Sequence, residues 1–262
     1  MKSKRYSPFY GYALFPMKTV GIKTILLVGA MVWLGLNPLI GQDHIGTFNI
    51  WGAVITDAKL SSRFKLRNEL HLRRARGLRE WQQQVVRPSV KYLHSKNIAL
   101  TAGLTVVRNH PYGKRDRPRV LPEHNIWEEV LVTHNIGQVR LRHRNRIEHR
   151  WSGIASLSTV DHYTISGYRF SNRLRYRLTA DVAFKEGSPW KAVFYNELFV
   201  ALNQKLWVES LDMRWWYFGV TWQPNKHITY AGGLIYQKAK RNDGTLIETN
   251  LTLSVMTIIR IN

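Results

Sequence analysis

Charged side chains, mostly cationic, recur at alternate positions in three stretches of the chain, the third broken by Ser171. Arg63, Lys65, Arg67, Glu69, His71 and Arg73 form the first, Arg140, Arg142, Arg144, Arg146, Glu148 and Arg150 the second, and Arg169, Arg173, Arg175 and Arg177 the third. A guanidinium is a planar fork that can hold two carboxylate or phosphate oxygens at once or lie flat on an aromatic ring. Rows of such groups therefore either build an internal ion-pair network or attract anions. Four acids, Glu69, Glu148, Glu197 and Asp212, share the expected inward parity and can neutralise part of the charge. Two readings stay open: a structural network filling a narrow interior, or an anion-attracting lumen with sites for phosphate or carboxylate.

Other chemistry is thinly represented. Ser152, Ser156, Ser158, Asp161 and His162 share one segment, but no G-x-S-x-G turn accompanies them. The ten histidines are scattered without an H-E-x-x-H pair, and there is no cysteine, so neither a metal site nor a cofactor is expected. Gly232-Gly233 lies in a strand-like segment, where it permits a bulge or close packing rather than cradling phosphate. The chain is not expected to be an enzyme. A barrel-embedded hydrolase of lipid or peptide, working through Ser158 and His162, is the alternative.

The 262 residues include 39 Lys and Arg against 17 Asp and Glu, a formal charge of +22, with 12% aromatic residues and ten Trp. That aromatic content excludes a flexible basic tail, and the lack of cysteine excludes a disulfide scaffold. Such charge would ordinarily suggest nucleic acid or an anionic membrane as partner. Residues 17–41, however, read as a secretory signal: a basic start, an apolar run from Thr24 to Leu36, and Gly41 ahead of Gln42-Asp43. Met17 is a possible true start, with 1–16 an upstream extension. Cleavage after 41 removes five cations and no acid, leaving +17. An exported chain is not expected to meet nucleic acid. A basic nucleic-acid-binding protein remains the third reading and requires retention in the cytoplasm.

The elements that must hold these rows are strands, because a helix would spread the arginines around its circumference. Eleven alternating segments are visible, at about 45–56, 61–74, 80–93, 97–108, 123–135, 138–150, 163–180, 190–202, 211–223, 227–239 and 248–261. Most exceed the ~9–11 residues of a tilted transmembrane strand. Their connections are mostly short at one end and longer at the other, with a long loop expected over 152–162. The pattern predicts one all-β domain over 42–262, an antiparallel up-and-down transmembrane β-barrel of 10–12 strands. Eleven conflicts with the even number expected of such barrels, so ten or twelve are the candidates and twelve is preferred. Arginine rows cannot face hydrocarbon, where each costs roughly 2–4 kcal/mol near the midplane, so they face a lumen. The outward parity of 138–150 includes His143, Asn145 and His149, poor chemistry for a lipid contact, which suggests a protein contact or an inverted parity. Glu128 and Glu129 occupy both faces, so one is expected near a rim or an arginine. Trp51, Trp81, Trp151, Trp190 and Trp222 suggest an aromatic girdle at the lipid boundary.

The succession Phe64-Lys65-Leu66-Arg67-Asn68-Glu69-Leu70, Arg87-Pro88-Ser89-Val90-Lys91-Tyr92, Pro122-Glu123-His124-Asn125-Ile126-Trp127-Glu128-Glu129 and Leu141 to Arg150, continued by Tyr168-Arg169-Phe170 and Tyr195-Asn196-Glu197-Leu198-Phe199, resembles the outer-membrane barrel family catalogued as domain of unknown function 2490. The resemblance covers nearly all of 43–262. It implies export to the outer membrane of a Gram-negative bacterium of the Bacteroidota type, contact with outer-membrane lipid, and no known reaction. The expected role is a narrow porin-like or anionic-solute channel, or a structural envelope barrel. One departure is the ending Ile259-Arg260-Ile261-Asn262, where barrels of this kind often finish on an aromatic residue.

Overall fold

The computed structural model describes residues 43–112, 119–159, 162–203, 205–240 and 246–262; the expected export segment lies outside them. Eleven strands follow in chain order: β1 (Asp43–Lys59), β2 (Phe64–Ala75), β3 (Glu80–Leu93), β4 (Ile98–Asn109), β5 (Leu121–Ile136), β6 (Val139–Thr159), β7 (His162–Ala183), β8 (Trp190–Leu202), β9 (Val208–Trp222), β10 (Ile228–Lys240) and β11 (Leu246–Ile261). Each pairs antiparallel with its sequence neighbour, and β1 closes the barrel against β11.

That closure explains the odd count. β1 and β11 run parallel, in register from Asp43↔Leu246 to Ala58↔Ile261. A parallel ladder satisfies the edge backbone groups as an antiparallel one does, so closure needs no twelfth strand. The preference for twelve rested on antiparallel pairing all the way round. Both β1 and β11 start at the rim that carries the connection from Asn109 to Leu121.

Side-chain alternation produces two unlike walls. Outward positions are aliphatic or aromatic over most of the circumference: Val54, Leu72, Val86, Leu104, Val220, Leu234 and Val255 are all exposed. Inward positions are mainly polar, charged or aromatic, with aliphatics such as Ile55, Val85, Val193 and Ile235 among them, and are mostly buried. Three of the turns at the opposite rim share one device. Ser61 Oγ accepts from the amides of Arg63 and Phe64, Ser95 Oγ from Asn97 and Ile98, and Asn225 Oδ1 from His227 and Ile228. Such local acceptors favour a turn over continued strand. The tight β5–β6 turn instead uses Gly137 at φ 58°, a left-handed conformation that a side chain disfavours.

One further expectation changes here. Most of the long loop expected over 152–162 is strand: β6 runs on through Thr159 and β7 begins at His162, the ladder reaching Thr159↔His162 with register shifts at Ile154/Ala155 and Leu157/Thr159. Ser152 to Thr159 keeps alternating partners, so the hairpin arms extend beyond the neighbouring strands. Gly233 packs closely, as expected: it faces Gly219 across β9–β10, and a Cβ at either would collide with the Tyr217 ring and neighbouring backbone. Gly103 likewise leaves space for the inward Trp127 indole to lie against the wall.

Candidate functional site

The strand register itself builds the ion pairs. Glu129 stands directly across from Arg146, Glu148 from Arg173, Glu197 from Arg177, Asp57 from Arg67 and Glu69 from Arg87. Glu197, fully buried, accepts from Arg175 Nε at 2.9 Å and Arg177 Nε at 2.8 Å, and it also pairs with Arg144. Glu148 accepts from Arg173 Nε at 2.9 Å and Arg175 Nη1 at 2.6 Å. Glu129 takes both Nε and Nη2 of Arg146, at 2.9 and 2.6 Å. Arg144 faces Arg177 and Arg146 faces Arg175, like-charge pairs that would repel. The wedged carboxylates of Glu129, Glu148 and Glu197 resolve that repulsion and join the guanidiniums into one network.

A second part of the interior is aromatic. Trp51 and Trp215 meet edge to face at 5.4 Å between centroids, Phe199 lies 4.8 Å from Trp215, and Tyr195 stacks on Tyr217 at 4.8 Å. Guanidiniums cover these rings: Arg73 sits 4.1 Å above Trp51, Arg177 4.1 Å above Tyr195, and Arg146 3.8 Å above Trp127. Such cation–π contacts hold charge where water is scarce. Trp51 therefore does not belong to a girdle; its Nε1 donates to Gln82 Oε1 at 2.7 Å. Trp190, Trp222 and Tyr230 form the stacked aromatic set at the short-turn rim instead.

Between these groups lies a cavity of about 630 Å³. Thirteen cationic side chains line it against six acidic ones, with Asp57, Asp181 and Glu197 engaging cations from behind. Arg73 donates through Nη1 to Gln83 Oε1 at 2.6 Å, while its buried Nε has no hydrogen-bond partner. Among the described residues neither Arg73 nor Lys91 pairs with a carboxylate. Tyr112, buried in the connection after β4, reaches across to Glu248 Oε1 on β11 at 3.0 Å and narrows the space. Nearby His110 packs on Trp81 at 5.9 Å, and burial, with Arg108 and Arg74 adding repulsion, holds its imidazole below the usual range.

Of the arginines expected in the lumen, Arg67, Arg73, Arg142, Arg144, Arg146, Arg150, Arg173, Arg175 and Arg177 line the cavity, and Glu69, Glu148 and Asp212 join them, with Glu197 directly behind. Arg63, Arg140 and Arg169 do not. Arg63 precedes β2 in an exposed turn, Arg140 is half exposed against Asp181 near the β5–β6 turn, and Arg169 is exposed on the extended β6–β7 hairpin. Their parity matches the inward rows, but their height along the barrel carries them past the cavity. Arg87, Lys91 and Glu123 were missed; their alternation in β3 and β5 was the available signal. Gln82 and Gln83 both turn inward because a bulge opposite Arg73/Arg74 breaks the parity, and another opposite Phe199/Val200 brings in Asp212 beside Met213. Glu129 faces arginines, as one of its pair was expected to, whereas Glu128 points outward from mid-strand. Ser158 is exposed on the hairpin arm; Asp161 and the His162 side chain lie outside the described residues.

A search of curated proteins found no match. A solved structure described as the NanC porin aligns with a TM-score of 0.39 and 10% identity, covering 75% of this chain and 91% of that one. The sequence matches the family described as "Protein of unknown function (DUF2490)" over residues 48–248, most of the strands and the cavity included. The chain belongs to that family.

Proposed function

We propose that the protein is an integral outer-membrane barrel, delivered by a cleaved signal peptide, whose lumen admits small anionic solutes. The cation surplus of the cavity is the observation that carries this reading: thirteen positive side chains against nine acids, six lining it and three behind it, with Arg73 and Lys91 making no ion pair with a carboxylate among the described residues. A field of one sign inside a low-dielectric wall concentrates counter-ions, and rings of Arg and Lys suit anion pores. The apolar exterior supports the membrane reading, since a water-immersed protein rarely exposes so continuous a band of Val, Leu and Phe. The aromatic set at Trp190, Trp222 and Tyr230 suits a lipid boundary.

Purified protein in a planar bilayer across a tenfold KCl gradient tests it. A zero-current potential of the sign set by chloride is expected. Cation preference, or no conductance at all, would reject the channel and leave a structural barrel whose interior is closed by its own ion pairs.

A further inference from the structure

The outer wall changes character over β5–β7. Elsewhere the outward rows are mainly apolar, interrupted by single amides such as Asn68 and Asn196; here His134, Glu128, His143, Asn145 and His149 cluster together. Glu128 is eighth of the sixteen residues of β5, far from both rims, and its side chain is 56% exposed. Among the described residues its one polar contact is His149 Nε2 at 3.3 Å, and the other ring nitrogen of His149 is engaged with Asn172 Oδ1 at 2.7 Å. Below them His143 Nδ1 meets Tyr176 Oη at 2.8 Å, and the His134 and His143 rings stack at 5.1 Å. The exposed Asn145 carboxamide makes no hydrogen bond among the described residues. Glu128 and Asn145 border an otherwise apolar groove of about 510 Å³, lined by Val90, Leu100, Ala102 and Ile147.

On a wall that faces acyl chains, a half-satisfied carboxylate and an unpaired carboxamide at mid-depth are costly unless something covers them. The chemistry of the strip says what fits. It holds an acid, several imidazoles and amides together, so a copy of itself turned by a two-fold axis presents imidazole to carboxylate and amide to amide. The groove beside the strip accepts apolar side chains from the same copy.

We propose that β5–β7 is the face through which two copies of this chain associate within the membrane, with Glu128, Asn145 and His149 at its centre. The proposal rests on the lipid-facing reading of the outer wall, and not on the lumen's selectivity.

Because the sequence lacks cysteine, Asn145→Cys supplies a sole thiol close to the two-fold axis and Val220→Cys a sole thiol on a different, apolar part of the wall. Both variants are oxidised in vesicles of the native lipid, and wild-type protein is weighed by native mass spectrometry from mild detergent. Expected are a disulfide-linked dimer in most Asn145→Cys chains, at least fivefold more than for Val220→Cys, and a wild-type mass of two chains. Substituting Glu128→Leu together with Asn145→Leu is expected to shift that mass to one chain. A wild-type mass of one chain, with or without bound lipid, overturns the proposal, as does a complex with a different protein. Equal cross-linking of the two thiols also overturns it. Heat-dependent gel migration of each variant separates these outcomes from failure of the barrel itself: loss of that migration in the wild type counts against the membrane reading instead.

Discussion

Glu197 is the residue on which the interior network converges. It has no solvent exposure and is bound by three guanidiniums, so Glu197→Gln leaves Arg177 without its carboxylate and Arg144 and Arg175 with only Glu129 and Glu148. Removing one member of a buried ionic cluster costs about 3–5 kcal/mol, and the urea midpoint of the folded barrel should fall accordingly. An unchanged midpoint would show that water reaches the cluster. Arg73→Gln belongs to the opposite class: with no carboxylate partner to strand, its stability change should stay within about 1 kcal/mol, the size of the lost ring contact. Its anion preference in the bilayer should decline, and unchanged selectivity would remove Arg73 from the conduction path. Much of this was legible as alternation, which tells which face a side chain takes. Height is not encoded that way, so Arg63, Arg140 and Arg169 share the inward parity yet miss the cavity. Bulges at Gln82 and Asp212 reset parity locally, and nothing in the adjoining residue types announces them.

Among the elements, the β1–β11 seam is the least ordinary. Its two strands are about 200 residues apart and their pairing direction leaves no mark on either sequence, which is why eleven legible strands were read as a miscount. The register sets Val54 opposite Thr257 and Gly46 opposite Thr249. A Val54→Cys/Thr257→Cys variant should therefore be joined by a short dithiol-reactive linker, whereas Val54→Cys/Thr249→Cys should not. Failure of the first pair would mean that another strand lies between β1 and β11. The strands themselves were legible because period-2 patterning with unlike faces has no helical counterpart. The extended β6–β7 hairpin was not, since Ser152 to Thr159 is rich in the small and hydroxylated residues that also make loops.

At the scale of the molecule, part of the charge that first suggests a polyanion partner is turned inward, thirteen Arg and Lys side chains lining the cavity. Enclosure gathers cationic side chains around the cavity, and the strands' outer parity presents Val, Leu and aromatic side chains over most of the wall. The lumen, its selectivity and the β5–β7 face all depend on that wall being closed and embedded in lipid. A folded barrel resists detergent at room temperature and migrates faster than its heated, unfolded chain. The most direct measurement is therefore gel migration of the outer-membrane fraction with and without boiling. A heat-shifted band in that fraction, moving to the position of the full chain on boiling, is expected. A protein recovered in the soluble fraction, with identical migration before and after heating, would contradict a closed barrel holding its guanidiniums inside a membrane.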